Sequence, residues 1–288
     1  MDTFNPGFEP IVRRPDYSRR GFVVTSLASG FALAWQPVSA QTITTDTNGL
    51  TAAEVKVPTA DGDMPAYQAM PASGGPFPMV LVCQEAWGVH EHIKDICRRL
   101  AKAGYYAIAA ELSARQGNLA AVTDGQERGK ILASIPTEQV MSDLDACVIY
   151  AKATGKADTK RLAVTGFCWG GFATWMYAAY QPALKAAVSW YGPDRKISEL
   201  IPQNPGDVMA ELKCPVLAFY GAKDQFIPQD TGPKREEACK AAGKTCEYKA
   251  FPDAEHGFNA DYRPSYNAAA AKEGWADMLA WFKKYGVA

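Results

Sequence analysis

From about residue 50 onward, strand-like and helix-like patterns alternate along the chain. Two short alternating stretches, 53–57 and 66–70, flank Asp61-Gly62-Asp63 and predict an opening antiparallel pair. The unbroken apolar run 79–83 predicts a strand buried on both faces. Residues 93–103 carry helical spacing that stops at Gly104, and 105–110 is the next strand. Val140, Leu144, Val148 and Ala151 share one side of a predicted helix over 140–153. Strand 161–165 precedes a helix running from Gly170 to about 180, and 186–190, 216–220 and 247–251 are further strands before a closing helix over 265–285. The stretch 111–139 is the least regular and predicts loop with short helix, a wall for any site. This alternation predicts an α/β fold with a mostly parallel central sheet and helices on both faces.

Gly166-Phe167-Cys168-Trp169-Gly170-Gly171 falls where strand 161–165 turns into a helix. That is the G-x-S-x-G nucleophile-elbow pattern with cysteine in the serine position. A nucleophile on so sharp a turn sits in strained backbone, and side chains two residues away would strike the neighbouring strand and helix, so Gly166 and Gly170 relieve the clash. The turn aims the sulfur at a helix N-terminus, whose dipole and N–H groups favour a thiolate.

Partners follow in the order nucleophile, acid, histidine. Asp224 comes just after strand 216–220 and is placed at the carboxyl end of the sheet, with Asp230 as a rival further from the strand end. His256 lies just after strand 247–251. The chain has three histidines, and the other two, His90 and His92, lie upstream of the cysteine as expected surface or helix-capping residues, with a spacing that puts them on different faces of a helix. In this reading His256 takes the proton from Cys168 and returns it to the leaving oxygen, while Asp224 holds its tautomer.

Composition narrows the alternatives. Among seven cysteines no pair has C-x-x-C spacing, and the chain has three histidines, so no zinc site is expected, and the hydrolytic reading calls for no cofactor. Cys239 and Cys246 are spaced to bridge a helix to the following strand. At the N-terminus, Ser18-Arg19-Arg20-Gly21-Phe22, an apolar run of about 13 residues and Val38-Ser39-Ala40 predict a twin-arginine export signal over 1–40. That run is shorter than the roughly 20 residues a membrane span requires. The remaining residues, 41–288, suit one α/β domain, exported to the periplasm or secreted, with a formal charge near −2 that offers no surface to nucleic acid or membrane.

Together with Gln84-Glu85-Ala86-Trp87-Gly88-Val89 and Leu112-Ser113-Ala114-Arg115-Gln116-Gly117, these motifs make the chain from about residue 50 to its end resemble the dienelactone hydrolase family of the α/β-hydrolase superfamily. The resemblance implies hydrolysis of a cyclic enol ester or another ester. It implies that Glu85 pairs with Cys168 in the resting enzyme and controls the thiolate, that Arg115 binds a substrate carboxylate, and that the N–H groups of Trp169 and Ala86 form an oxyanion hole. Trp87 makes the substrate pocket more aromatic. The family's second carboxylate-binding arginine would fall at Ala260, with Arg263 near enough to substitute. The expected protein is a monomeric esterase or lactonase for small molecules, acting through Cys168, His256 and Asp224. The rivals are a broad periplasmic carboxylesterase or thioesterase, a silent ligand-binding scaffold, and a redox thiol.

Overall fold

A computed structural model describes residues 43–288 apart from Arg195, so the predicted export signal lies outside the described residues. Eight strands form one sheet in the order β1-β2-β4-β3-β5-β6-β7-β8. β1 (Leu50–Thr59) and β2 (Gly62–Pro71) pair in antiparallel register from Leu50↔Pro71 to Thr59↔Gly62, closed by a tight turn at which Gly62 takes φ 136°. β2 lies antiparallel to β4 (Tyr106–Ala110). From there β3 (Phe77–Cys83), β5 (Ala157–Phe167), β6 (Leu184–Trp190), β7 (Val216–Gly221) and β8 (Cys246–Phe251) run parallel.

The inner parallel strands β3 and β7 read as continuous apolar runs because both their faces are covered, whereas the edge strand β8 is buried only at Phe251. β4 and β7 are buried at every residue, and β3 at every residue but Phe77. On the central strands lies α4 (Trp169–Tyr180), in which Trp169 through Ala179 are all buried. A helix apolar on every side suits only such an interior position. α1 (Glu91–Lys102), α3 (Thr137–Ala153), α5 (Thr231–Ala241) and α6 (Ala268–Lys284) complete the layers.

The stretch 111–139 holds a 3-10 turn over Leu119–Ala121 and then α2 (Gly125–Ala133), and α3 begins three residues before the predicted 140. α6 starts at Ala268, later than expected, because the Asn267 side chain accepts from the Ala270 N–H at 3.1 Å and caps the helix there. Cys239 at the end of α5 and Cys246 at the start of β8 form a disulfide, with Cα atoms 6.0 Å apart. The other five cysteines are free and buried. Among the described residues, no helix is long and apolar enough to cross a membrane, and no cluster of His, Cys, Asp or Glu could hold a metal ion.

Candidate active site

The carboxyl ends of four parallel strands carry the candidate groups: Glu85 follows β3, Cys168 follows β5, Asp224 follows β7 and His256 follows β8. Ligands of parallel sheets gather at this edge, where the connecting loops diverge.

Cys168 sits at φ 54°, ψ −115°, a conformation that side-chain-bearing residues rarely adopt. Its N–H donates to the Trp190 carbonyl at 3.0 Å and its carbonyl accepts from Phe172 at 3.2 Å, so neighbours on both sides hold the turn. Glycine is obligatory at two flanking positions. A Cβ at Gly166 would lie 2.1 Å from the Gly170 carbonyl oxygen, and one at Gly170 would lie 2.3 Å and 2.4 Å from the carbonyl oxygens of Cys83 and Gln84. That second approach brings the start of α4, with the Trp169 N–H, against the segment carrying Glu85 and Ala86.

His256 Nε2 lies 3.3 Å from Cys168 Sγ, and its Nδ1 lies 2.8 Å from Asp224 Oδ2. The other Asp224 oxygen accepts from the N–H groups of Phe226 and Ile227 at 2.8 and 3.1 Å, which fixes the carboxylate. All three residues are buried. Burial alone would lower the His256 pKa, but the adjacent Cys168 sulfur and Asp224 carboxylate outweigh it and raise the imidazole to about 9. The rings of Tyr191 and Phe226 contact the imidazole edge-on, with centroids 5.2 and 5.4 Å away. Asp230 is removed from this chemistry: it stands at the N-terminus of α5, exposed and ion-paired with Lys234.

Glu85 is fully buried, yet its contacts lie away from Cys168. The Tyr262 hydroxyl donates to Oε2 and the Tyr191 hydroxyl donates to Oε1 at 3.4 Å. Arg263 and His90 approach Oε2 at 3.9 and 3.6 Å. Burial by itself would push the carboxyl up, but Arg263, His90 and His92 hold it below the usual carboxylate range. The structure therefore pairs Cys168 with His256, and Glu85 with two tyrosines and a guanidinium, in place of the expected Glu85–Cys168 pair.

The two histidines depart from expectation for a simple geometric reason. His90 occupies the position just before α1 in extended backbone (φ −80°, ψ −179°) and makes no side-chain cap, so helical spacing does not separate it from His92. His92 is buried and the His90 side chain is only 8% exposed, their rings are stacked at 6.0 Å, and both meet the Tyr262 ring edge-on. His92 Nδ1 lies 3.1 Å from Asp261 Oδ1, and Arg99 reaches the other Asp261 oxygen at 3.0 Å.

The arginines are also distributed differently from the motif reading. Arg115 is engaged by Asp61 at 2.7 Å, by Asp143 at 2.8 Å and by Thr59, and the structure does not bring it together with the Cys168 group. Arg263 is buried beside Glu85 and Tyr262. Arg128, unmarked in the sequence because it lies in the irregular stretch, is buried with its guanidinium 3.4 Å from the centre of the Trp87 ring. Burial lowers its pKa to about 10. Trp87 packs with Tyr262 and Ala260, so an aromatic wall fills the place where the motif would put a second arginine.

Comparison with known proteins agrees with this architecture. Residues 64–286 match the dienelactone hydrolase family. The chain is 57% identical to a candidate carboxymethylenebutenolidase of Methylorubrum extorquens, across the full length of both. It is 45% identical to one from Escherichia coli, covering 92% of this chain and 98% of that one. The crystal structure of a candidate dienelactone hydrolase from Klebsiella pneumoniae superposes with a TM-score of 0.79 at 49% identity, covering 82% of this chain and 99% of that one. The chain belongs to the dienelactone hydrolase family and is an α/β-hydrolase acting on esters or lactones.

Proposed function

We propose that the protein cleaves a small ester or lactone through Cys168, His256 and Asp224, by way of an acyl-thioester. The observation that carries this reading is the 3.3 Å contact between His256 Nε2 and the sulfur of a strained elbow, with Asp224 at 2.8 Å on the far nitrogen. With Cys168 and Asp224 outweighing its burial, the His256 imidazole is a base suited to take and hold the thiol proton. The thiolate attacks the carbonyl carbon, and the N–H groups of Trp169 and Ala86 hold the developing oxyanion. His256 then gives its proton to the leaving oxygen, and the acyl group remains on sulfur. In the second half, His256 takes a proton from water, whose oxygen attacks the thioester and releases the acid. Glu85 is the movable carboxylate of this scheme: near the thiol it would disfavour the thiolate.

For the substrate carboxylate, Arg263 is the better supported partner, since Arg115 is tied to two acids and Ala260 offers no charge. The same facts favour, as a second reading, a broader esterase that needs no carboxylate on its substrate. Both are tested by following hydrolysis of p-nitrophenyl acetate and of a dienelactone in wild type, Cys168→Ala, Arg115→Ala and Arg263→Ala. Loss of both activities in Cys168→Ala supports the mechanism. Selective loss of the dienelactone in an arginine variant identifies the carboxylate partner, and turnover of the simple ester alone favours the broader esterase. We also infer export by the twin-arginine route; the Cys239–Cys246 disulfide, which an oxidising compartment preserves, supports it.

A further inference from the structure

The reading of Glu85 as a movable carboxylate leaves open what holds it when Cys168 faces His256. We propose that Tyr191 and Tyr262 are positioning residues forming a two-phenol clamp, which holds the Glu85 carboxylate off the sulfur and thereby permits the Cys168 thiolate. This rests on Cys168 being the nucleophile.

Each phenol takes a different oxygen: Tyr191 donates to Oε1 and Tyr262 to Oε2. A carboxylate with no exposure must find its donors inside the protein, and hydroxyls supply them without adding charge. Both tyrosines are themselves anchored from behind. Tyr191, the first residue after β6, is held at φ 40°, a left-handed conformation that costs free energy unless its surroundings enforce it. Its N–H donates to Phe219 at 2.7 Å and its ring lies edge-on to Phe258 and to His256, so one side chain spans the carboxylate and the imidazole. Strain at this residue, as at Cys168, marks a side chain placed at the expense of local backbone preference. Tyr262 follows Asp261, whose carboxylate is fixed to α1 through His92 and Arg99. Its oxygen also accepts from Arg263 Nε at 3.2 Å.

The titratable and charged groups facing Glu85 are His90 and His92 at the start of α1, Tyr191 after β6, and Tyr262 and Arg263 from the loop after β8. Burial and the neighbouring carboxylate push both phenols well above their ordinary range, so they stay donors throughout the working pH range. Cutting a hydroxyl frees one carboxylate oxygen to turn, and a carboxylate turned toward the Cys168 sulfur would disfavour the thiolate, as like charges do.

The test is the pH dependence of iodoacetamide alkylation at Cys168, located by peptide mass spectrometry, in wild type, Tyr191→Phe, Tyr262→Phe, Glu85→Gln and the two double variants. The clamp predicts that each Tyr→Phe moves the alkylation midpoint upward by half a pH unit or more, that Glu85→Gln moves it downward, and that neither Tyr→Phe moves it once Glu85 is Gln. Equal shifts with and without Glu85 would reduce the tyrosines to general packing and overturn the proposal. So would no shift, a downward shift in a tyrosine variant, or an unmoved midpoint in Glu85→Gln alone, which needs no tyrosine variant to fold. Failure of the underlying reading looks different: Cys168 would resist alkylation at every pH while Cys168→Ala kept its hydrolase activity.

Discussion

The guanidinium of Arg128 covers the face of Trp87, 3.4 Å from the ring centre. It ties α2 to the loop that carries Glu85 and Ala86. Within α2 the other buried residue is Leu132, Ile131 packs against the core, and the Ser198 hydroxyl donates to the Ala133 carbonyl at 2.6 Å, so Arg128 is one of several attachments of this short helix. A buried contact of this kind contributes about 2 kcal/mol. Arg128→Ala is expected to speed amide hydrogen exchange over residues 125–133 and to raise KM more than it lowers kcat. Unchanged exchange would contradict the role of Arg128 as an anchor of α2.

Gly170→Ala offers the sharpest test of the elbow. The added methyl would lie 2.3 Å from the Cys83 carbonyl oxygen, a backbone atom of a central strand that has nowhere to move. The expected cost is over about 3 kcal/mol, seen as a lower urea midpoint or failure to fold. A variant as stable as wild type would mean that α4 and β3 do not approach this closely.

Asp224→Asn should leave the fold intact and lower kcat by roughly a thousandfold or more, since the amide no longer enforces the tautomer that leaves Nε2 facing sulfur. A loss of tenfold or less would argue against Asp224 as the orienting group.

The raised pKa of His256 has a signed consequence for stability. A group that binds its proton more tightly when folded stabilises the native state fully below its unfolded pKa, near 6.5, and loses that contribution as pH rises through about 9. The unfolding free energy should therefore fall between these values by an amount on the order of 3 kcal/mol at most. Denaturant titrations across that window should show the slope in wild type and a shallower one in Cys168→Ala, which removes the charge largely responsible for the shift. Equal slopes would contradict a thiolate–imidazolium pair.

The Cys239–Cys246 bridge closes a short loop between α5 and β8. Reduction, or Cys239→Ser with Cys246→Ser, should cost about 2 kcal/mol in thermal or chemical unfolding. Because the bridge lies outside the Cys168 group, kcat should not change.

Much of this architecture was readable because its causes are local. β3 and β7 are apolar runs bounded by turn residues, and the elbow announces itself through two glycines that only close backbone contact explains. Placing Asp224 and His256 at strand ends needed only the strand pattern and chain order. The surroundings of Glu85 were not readable, since they depend on long-range packing. Tyr191 and Tyr262 come from loops separated by about seventy residues and carry no motif. The placement of His90 and His92 is hidden from a helical-spacing argument because His90 lies in extended backbone before α1. Arg115 fitted a carboxylate-binding motif, whereas its ion pairs depend on Asp61 in the β1–β2 turn and Asp143 in α3. Arg128 lay in the one stretch without a legible period.

The most direct test of the account is to mix wild-type protein with p-nitrophenyl acetate, quench with acid during the first turnovers, and map the acyl group by peptide mass spectrometry. The account predicts one acyl group, on Cys168, removed by neutral hydroxylamine as a thioester should be, and absent from Cys168→Ala. An acyl group on another residue, or steady hydrolysis by Cys168→Ala, would contradict the assignment of Cys168 as nucleophile.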